Sequence, residues 1–228
     1  MNLSLNKQDF LKYTSQQLNG LFPDNKLVDL KSYIASFDTA IDRIDHCFNK
    51  VTYKHYFNNG QTFLNHLHAD QYLMYVWFLS NTIYKDTGDL NLSNKLYYLN
   101  KSLHGFDCMY NTELPDIFLI FHGVGTMLGK AKYSDFFVAL QGCTIGSQKG
   151  QYPILGKGVG LTAHSSIIGN CVIGNRSSIA SYTSVFEMDV PEDSVVFKDK
   201  DTGILKIKSA KNCYAQQFFN INIINEVN

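Results

Sequence analysis

The chain has 228 residues, with 20 Lys and Arg against 20 Asp and Glu, so its formal net charge is zero. Nucleic-acid-binding proteins normally carry a basic patch or stripe, and this charge balance speaks against that class and against electrostatic attachment to an anionic membrane. Hydrophobic residues make up 45% of the chain, which is typical of a globular protein and excludes a disordered one.

The sequence predicts neither a membrane span nor a secretory leader. Its longest dense apolar stretch, residues 72–79, is far shorter than the ~20 residues of a transmembrane helix. The start, MNLSLNKQDF, lacks the basic and apolar regions of a signal peptide. The five cysteines lie far apart without a CxxC pair, which indicates reduced thiols rather than disulfides or zinc. We therefore expect a cytoplasmic protein without a metal site.

Residues 1–110 are predicted to form an all-helical domain. One apolar stripe with steps of three and four predicts a long amphipathic helix after Pro23. The stripe consists of Leu27, Leu30, Ile34, Phe37, Ile41, Ile44 and Phe48. Other helices are predicted over 5–18, 70–85 and 93–104, the last ending at Gly105. We interpret the stripes as core faces of a helical cap rather than as a partner-binding coiled coil.

After residue 110 the period of the apolar residues changes to six. The hexad positions with an aliphatic residue are Leu155, Leu161, Ile167, Ile173, Ile179 and Val185. A small or β-branched residue follows each of the first five at a distance of four positions. These residues are Val159, Ser165, Cys171, Ser177 and Thr183. Upstream, the same step gives Phe121, Met127, Tyr133, Ala139 and Ile145. The ten-residue step from Ile145 to Leu155 leaves room for one protruding loop, GSQKGQYP.

A six-residue period predicts a parallel β-helix over residues 111–198, followed by a C-terminal tail over 199–228. Each hexad would form one short side of a coil, with the aliphatic residue inside and the small residue near a corner. Stacked coils bury one continuous apolar column, so no coil is stable alone. The fold class is therefore predicted as α+β.

These segments resemble the serine acetyltransferases of the left-handed hexapeptide β-helix acyltransferase family. IFLIFHGVGTMLGKA is similar to the family segment that carries the catalytic histidine, and GSQKGQYPILGKGVG to its extended loop. SSIIGNCVIGNRSSIASYTSVFEMDVPEDSVVF resembles the closing coils. The likeness covers about a third of the chain well and the helical part only in type and order.

The resemblance implies acetyl transfer from acetyl-CoA to a hydroxyl, in a homotrimer with active sites between adjacent β-helices. It places His122 on the catalytic histidine, which would take the proton of the acceptor hydroxyl. The family has an Asp just before that histidine, but here Phe121 stands there. Glu113, Asp116 and Asp70 are alternative partners for the imidazole.

The acceptor is predicted from a second departure from the family. The loop's Arg-His pair, which holds serine in the family, is replaced here by Gln151 and Tyr152. Gln lacks the charged two-pronged grip of Arg on a carboxylate. An amide and an aromatic ring suit a sugar better, so we expect a carbohydrate acceptor, such as a surface polysaccharide or its precursor, with Asp70 as a further substrate contact. Free serine is the alternative.

For acetyl-CoA, the family's backbone contacts map to Gly146, Ser147, Ala163 and Ser181. Simple corner geometry of the β-helix is the competing explanation for each. Lys198 and Lys200 follow the last coil, where they would meet the CoA phosphates unless they are merely solvated.

Two further readings of the sequence stay open. The loss of three family polar residues also fits a non-catalytic β-helix scaffold, and the acyl group could differ from acetyl. His164 matches no family motif and is assigned to the core or the surface. His66 and His68 have a spacing that does not share a helix face, so they are not assigned to a metal site.

Overall fold

The computed structural model describes residues 1–227, which divide into two compact units. The helical unit contains Met1–Asn49 and Tyr53–Asn111. The β-helix unit contains Lys50–Thr52 together with residues 112–227. A helical first part followed by a parallel β-helix confirms the predicted fold class.

The helical unit combines α-helices with a small mixed sheet. Its helices are α1 (Lys7–Leu21), α2 (Ile34–Phe48), α3 (Ala69–Thr87) and α4 (Leu90–His104). Its strands are β1 (Asn2–Leu3), β2 (Phe57–Asn58) and β3 (Gln61–Leu64), with β3 in the middle. Helix α3 packs against α2 and α4 and is buried along most of its length, so it forms the centre of this unit.

Local capping explains where the helices begin and end. The side chain of Asp89 accepts a hydrogen bond from the Leu92 N–H at the start of α4. Gly88 and Gly105 adopt the left-handed conformation at the ends of α3 and α4, which a residue without a side chain does at little cost. The predicted end of the last helix at Gly105 is therefore confirmed.

The long amphipathic helix was predicted too long at its N-terminal end. Asp29 caps a short 3-10 helix, Leu30–Tyr33, which leads into α2. Leu27 lies before it and is 85% exposed. The reason is Asn19, whose side-chain amide exchanges two hydrogen bonds with the backbone of Val28 and holds this segment outside the helix.

The β-helix unit contains short strands that stack in parallel. They are β4 (Phe118–Ile120), β5 (Met127–Leu128), β6 (Phe137–Ala139), β7 (Thr144–Gly146), β8 (Ile154–Leu155), β9 (Gly160–Leu161), β10 (Ser166–Ile168), β11 (Val172–Ile173), β12 (Ser178–Ile179), β13 (Ser184–Phe186) and β14 (Ser194–Lys198). Strand β15 (Leu205–Ser209) pairs antiparallel with β14.

Three faces surround the core of this unit. Face A holds β5, β7, β10 and β13, face B holds β8 and β11, and face C holds β4, β6, β9, β12 and β14. The predicted inward residues from Leu155 to Val185 are all buried and lie in register between coils, as Ile167 does with Val185. The hexad prediction is confirmed over this stretch.

The register predicted for the first coil is wrong by one residue. Ile120 pairs with Ala139, and Leu128 pairs with Ile145. Phe121 is therefore not an inward residue, and Met127 is 49% exposed. The step between the inward residues Ile120 and Leu128 is eight residues rather than six, because a longer loop separates β4 from β5.

Residues 199–227, predicted as a tail, lie in the same compact unit as the coils. Val51 forms a bridge with Phe219, and the Thr52 N–H donates to the Phe218 carbonyl over 2.9 Å. Tyr214 covers face C so closely that a Cβ on Gly160 would lie 2.6 Å from its ring. No helix in residues 1–227 is long and apolar enough to cross a membrane.

The neighbouring residues Met127 and Leu128 test the corrected register. Leu128→Ala removes a fully packed side chain, so we expect the free energy of unfolding to fall by about 2–5 kcal/mol. Met127→Ala removes a half-exposed side chain, and we expect a loss below about 1 kcal/mol. Urea unfolding of both variants measures the difference, and a larger loss for Met127→Ala would restore the original register.

Candidate active site

His122 lies on an exposed loop, residues 121–126, between β4 on face C and β5 on face A. The loop is held by backbone bonds on both sides, because the Phe121 N–H donates to Ala139 and the Thr126 N–H donates to Gly123. The Thr126 hydroxyl adds a bond of 2.7 Å to the Leu140 carbonyl. His122 itself has a left-handed backbone, with φ of 56°, and a side chain exposed to solvent.

Phe121 occupies the position where the resembled family has an Asp. Its ring lies 5.9 Å from that of Phe218 and 4.3 Å from the His122 imidazole. The side chain is thus part of an aromatic contact with the C-terminal segment, and a phenyl ring offers no carboxylate to the imidazole. Glu113 and Asp116 are exposed on the segment before β4.

Asp70 belongs to the helical unit, where it lies almost buried in the first turn of α3. Burial lowers the pKa of the nearby His104, and the negative charge of Asp70 partly offsets this shift. His68 caps the same helix through its Nδ1 atom, and His66 Nδ1 lies 2.8 Å from the Ser4 hydroxyl. No group of three or more metal-ligating side chains that could hold a metal ion occurs among residues 1–227.

The loop that carries Gln151 and Tyr152 is a tight hairpin between β7 and β8. Gln148 and Gln151 exchange two backbone hydrogen bonds of 3.1 and 2.9 Å. Lys149 and Gly150 between them both have positive φ, as a type I′ turn requires. Gln151 and Tyr152 follow this turn and are exposed.

The two predicted parts of the site lie on different corners of one chain. We call the turn between faces C and A the first corner, and the turn between faces A and B the second corner. His122 lies at the first corner and the Gln151–Tyr152 loop at the second, so the strands of face A separate them. A site that includes both groups would have to span face A or use a second copy of the chain.

The first corner is a column of four stacked turns. These turns are Val124–Gly125, Gln141–Gly142, Ala163–His164 and Ser181–Tyr182, and the second residue of each has positive φ. The N–H groups of Gly142, His164 and Tyr182 donate in succession to the carbonyls of Val124, Gln141 and Ala163. Ala163 and Ser181 therefore lie on the same corner as His122.

Gly146 and Ser147 lie at the second corner instead. The Gly146 carbonyl accepts a hydrogen bond of 3.0 Å from Gly169 on the next coil, and Ser147 is exposed at the root of the hairpin. The four residues predicted to contact the cofactor are thus divided between two corners.

A groove of about 540 Å³ runs beside the first corner on face C. Its residues come from the coils and from the C-terminal segment, namely Thr162, Ser178, Ala180, Ser181, Val195, Asn212, Cys213, Tyr214 and Gln217. The Ser181 hydroxyl donates to the Thr162 hydroxyl over 3.1 Å. Burial raises the pKa of the Cys213 thiol, so this group is a neutral thiol near pH 7. The wall formed by 212–217 was missed because the segment has no hexad period.

His164 lies on the surface rather than in the core. Its ring stacks on that of Tyr182, with centroids 5.0 Å apart and planes 13° from parallel. It also covers Gly142, where an added Cβ would collide with the imidazole Nδ1 atom. Only a glycine leaves space for the imidazole at this turn. The stack was missed because aromatic residues 18 apart are not a hexad core signal.

Similar solved structures share this architecture. The serine acetyltransferase of Neisseria gonorrhoeae is 18% identical, with 92% of this chain and 81% of that chain covered and a TM-score of 0.67. The same protein in complex with serine is 20% identical, with 82% of this chain and 80% of that chain covered and a TM-score of 0.63. The serine acetyltransferase of Brucella abortus strain S19 in complex with coenzyme A is 19% identical, with 92% of this chain and 84% of that chain covered and a TM-score of 0.66. No family model and no curated protein sequence matches this chain. At these identities the likeness shows a common fold.

Two glycines test the position of the His164 ring. Gly142 and Gly150 both have positive φ, but an added Cβ meets the imidazole only at Gly142 and meets nothing within 4 Å at Gly150. We expect Gly150→Ala to lower the unfolding free energy by about 1–2 kcal/mol, which is the backbone strain alone. Gly142→Ala should lose clearly more in urea unfolding. Equal losses would mean that the imidazole does not rest on Gly142.

Proposed function

We propose that the protein is an acetyl-CoA-dependent O-acetyltransferase that modifies a hydroxyl of a carbohydrate, with His122 as the general base. The observation that carries this proposal is the exposed imidazole on a corner of the β-helix, with a groove beside the same corner. The fold shared with serine acetyltransferases, one of them solved with coenzyme A, supports the reaction class.

The chemistry needs little from the protein beyond positioning and one base. Acetyl-CoA supplies an activated thioester, so no covalent enzyme intermediate is required. A neutral imidazole can take the proton of the acceptor hydroxyl as its oxygen attacks the carbonyl. His122 is exposed and lies on a loop fixed by backbone bonds, which suits a group that must meet a substrate in a defined place.

The groove residues fit a long, amide-containing donor. Thr162, Ser181, Asn212 and Gln217 offer hydroxyl and amide groups, and Ala180 and Tyr214 offer apolar surface. The pantetheine arm of CoA has the same alternation of amides and methylenes. We assign Ser181 to the donor on this basis, together with Ala163, which lies on the same corner, and Gly146 and Ser147 to the donor of a neighbouring copy. Because acetyl-CoA is made inside the cell, the reaction is placed in the cytoplasm.

The acceptor is proposed from Gln151 and Tyr152. Neither side chain carries a positive charge that would bind a carboxylate, whereas Tyr152 is 47% exposed and can pack on a sugar ring. Free serine is a second candidate, because the Neisseria gonorrhoeae structure contains serine. A non-catalytic scaffold is the third reading, supported by Phe121 in place of a carboxylate.

The separation of the two corners supports a homotrimer. His122 of one chain and the hairpin of another would complete a site between adjacent β-helices, as closed cyclic symmetry allows. The trimer also explains why exposed apolar side chains such as Val124 and Phe186 occur along face A and its corners.

The first prediction from this proposal concerns His122. His122→Ala should lower kcat by about 10²–10⁴, the usual contribution of a positioned general base, with little change in CoA affinity. Release of free thiol from acetyl-CoA, measured over a panel of saccharides and serine, gives the rate. His46→Ala removes an exposed imidazole from α2 and is the matched control. A folded His122→Ala variant with full turnover would place the base elsewhere.

The second prediction tests whether the first and second corners contribute to one site. Tyr152→Ala should raise the KM of the acceptor far more than that of acetyl-CoA. If the site is shared between copies, unfolding the His122→Ala and Tyr152→Ala chains together and refolding them as a mixture should give more activity, at an acceptor concentration below the KM of Tyr152→Ala, than the mean of the two variants. Each variant refolded by itself is the control. No recovery in confirmed mixed oligomers would place the whole site within one chain.

A further inference from the structure

We propose that the stacked side chains of His164 and Tyr182 form a platform for the adenine ring of the CoA donor. This inference rests on the proposed function, since it assigns one more part of the donor to the first corner. It concerns exposed side chains that point away from the core.

The geometry leaves one aromatic face open. The imidazole of His164 is held between Gly142 on one side and the Tyr182 ring on the other. The Tyr182 ring therefore has one face against His164 and the opposite face free, and the residue is 75% exposed. A flat ligand ring can continue this stack without any rearrangement of the protein.

The exposed stack buries little surface by itself, so its contribution to folding is small. Stacking of a nucleobase on such a ring is worth far more, about 1–3 kcal/mol per base by alanine substitution in other proteins. The backbone of both residues is set in place before binding, because both lie in turns fixed by backbone hydrogen bonds. No backbone rearrangement is therefore needed for a ring to bind there.

The position along the corner matches the length of the donor. The turn at Tyr182 lies three coils beyond the turn at Val124–Gly125, next to His122. At about 4.8 Å per coil this is roughly 14 Å. The pantetheine arm is comparable to an extended tetrapeptide, which spans about 14 Å. A donor with its thioester near His122 would therefore have the far end of this arm near Tyr182. The diphosphate and ribose that follow would bring the adenine to the open face of the Tyr182 ring.

A positive charge beyond Tyr182 supports this orientation of the donor. Strand β14 pairs in parallel with β12 and belongs to the next coil. Its last residue, Lys198, therefore lies on face C, one coil beyond β12, at the end of the strand that leads to the first corner. Lys198 is exposed. An ammonium group there can meet the phosphates that accompany the adenine of CoA.

Calorimetric titration of the intact protein with CoA tests the platform without any acceptor. We expect Tyr182→Ala to weaken CoA binding by about 5- to 100-fold, and Tyr182→Phe to bind nearly as the unaltered protein does. Tyr98→Ala, which truncates another largely exposed tyrosine on α4, is the matched control and should bind normally. Adenosine 3′,5′-bisphosphate should compete with CoA for the unaltered protein and much less for Tyr182→Ala.

The donor analogue acetyl-pantetheine, which lacks adenine, distinguishes the platform from a general defect. Its KM should be the same for the unaltered protein and for Tyr182→Ala. Unchanged CoA affinity in Tyr182→Ala overturns the platform and leaves the proposed function intact. A rise in the acceptor KM alone also overturns the platform, because it would make the stack a sugar site. An unaltered protein that binds no CoA overturns the proposed function and the platform together.

Discussion

The column of aliphatic side chains inside the coils is the interaction on which the rest of the β-helix unit depends. A side of six residues buries one such side chain and has no sheet partner within its own coil. Stability comes only when coils stack, so that backbone groups pair between coils and the aliphatic residues form one dry core. Burial of Leu155, Ile167 and Ile179 to zero exposure shows how complete this packing is.

That constraint fixes the geometry of the surface as well as the core. Because coils repeat at the spacing of parallel strands, side chains at equivalent turns form straight columns, and successive members of a column lie about 4.8 Å apart. The first corner is such a column, and it places His122, Ala163 and Ser181 along one edge. A rigid edge of this kind can bind an extended ligand without moving, which reduces the entropy lost on binding.

The residues proposed for the site lie where the chain departs from the repeat. The eight-residue step before Leu128 produces the His122 loop, and the ten-residue step before Leu155 produces the hairpin with Gln151 and Tyr152. Extra residues at a corner cannot enter the packed core, so they project outward. The scaffold can carry different residues in such loops, which is why a shared fold with serine acetyltransferases does not determine what these loops bind.

The sequence by itself determined the elements that depend on local periodicity. The hexads predicted the inward residues from Leu155 to Val185, and the helix signals over 70–85 and 93–104, with Gly105 at the end, predicted α3 and α4, because burial and capping act through residues close in the chain. The same signals failed at Leu27 and Met127, where a side chain such as Asn19 or a longer loop shifts the register.

Only the tertiary structure decided which of these residues meet. Tyr214 and Cys213 close the groove on face C from a segment without a repeat. His164 and Tyr182 stack because Gly142 lacks a side chain on the coil between them and His122. Such contacts join residues that are distant in the chain and leave no periodic trace. The sequence therefore predicts the aliphatic core of the β-helix, while the three-dimensional stacking of coils determines which side chains lie together at its corners.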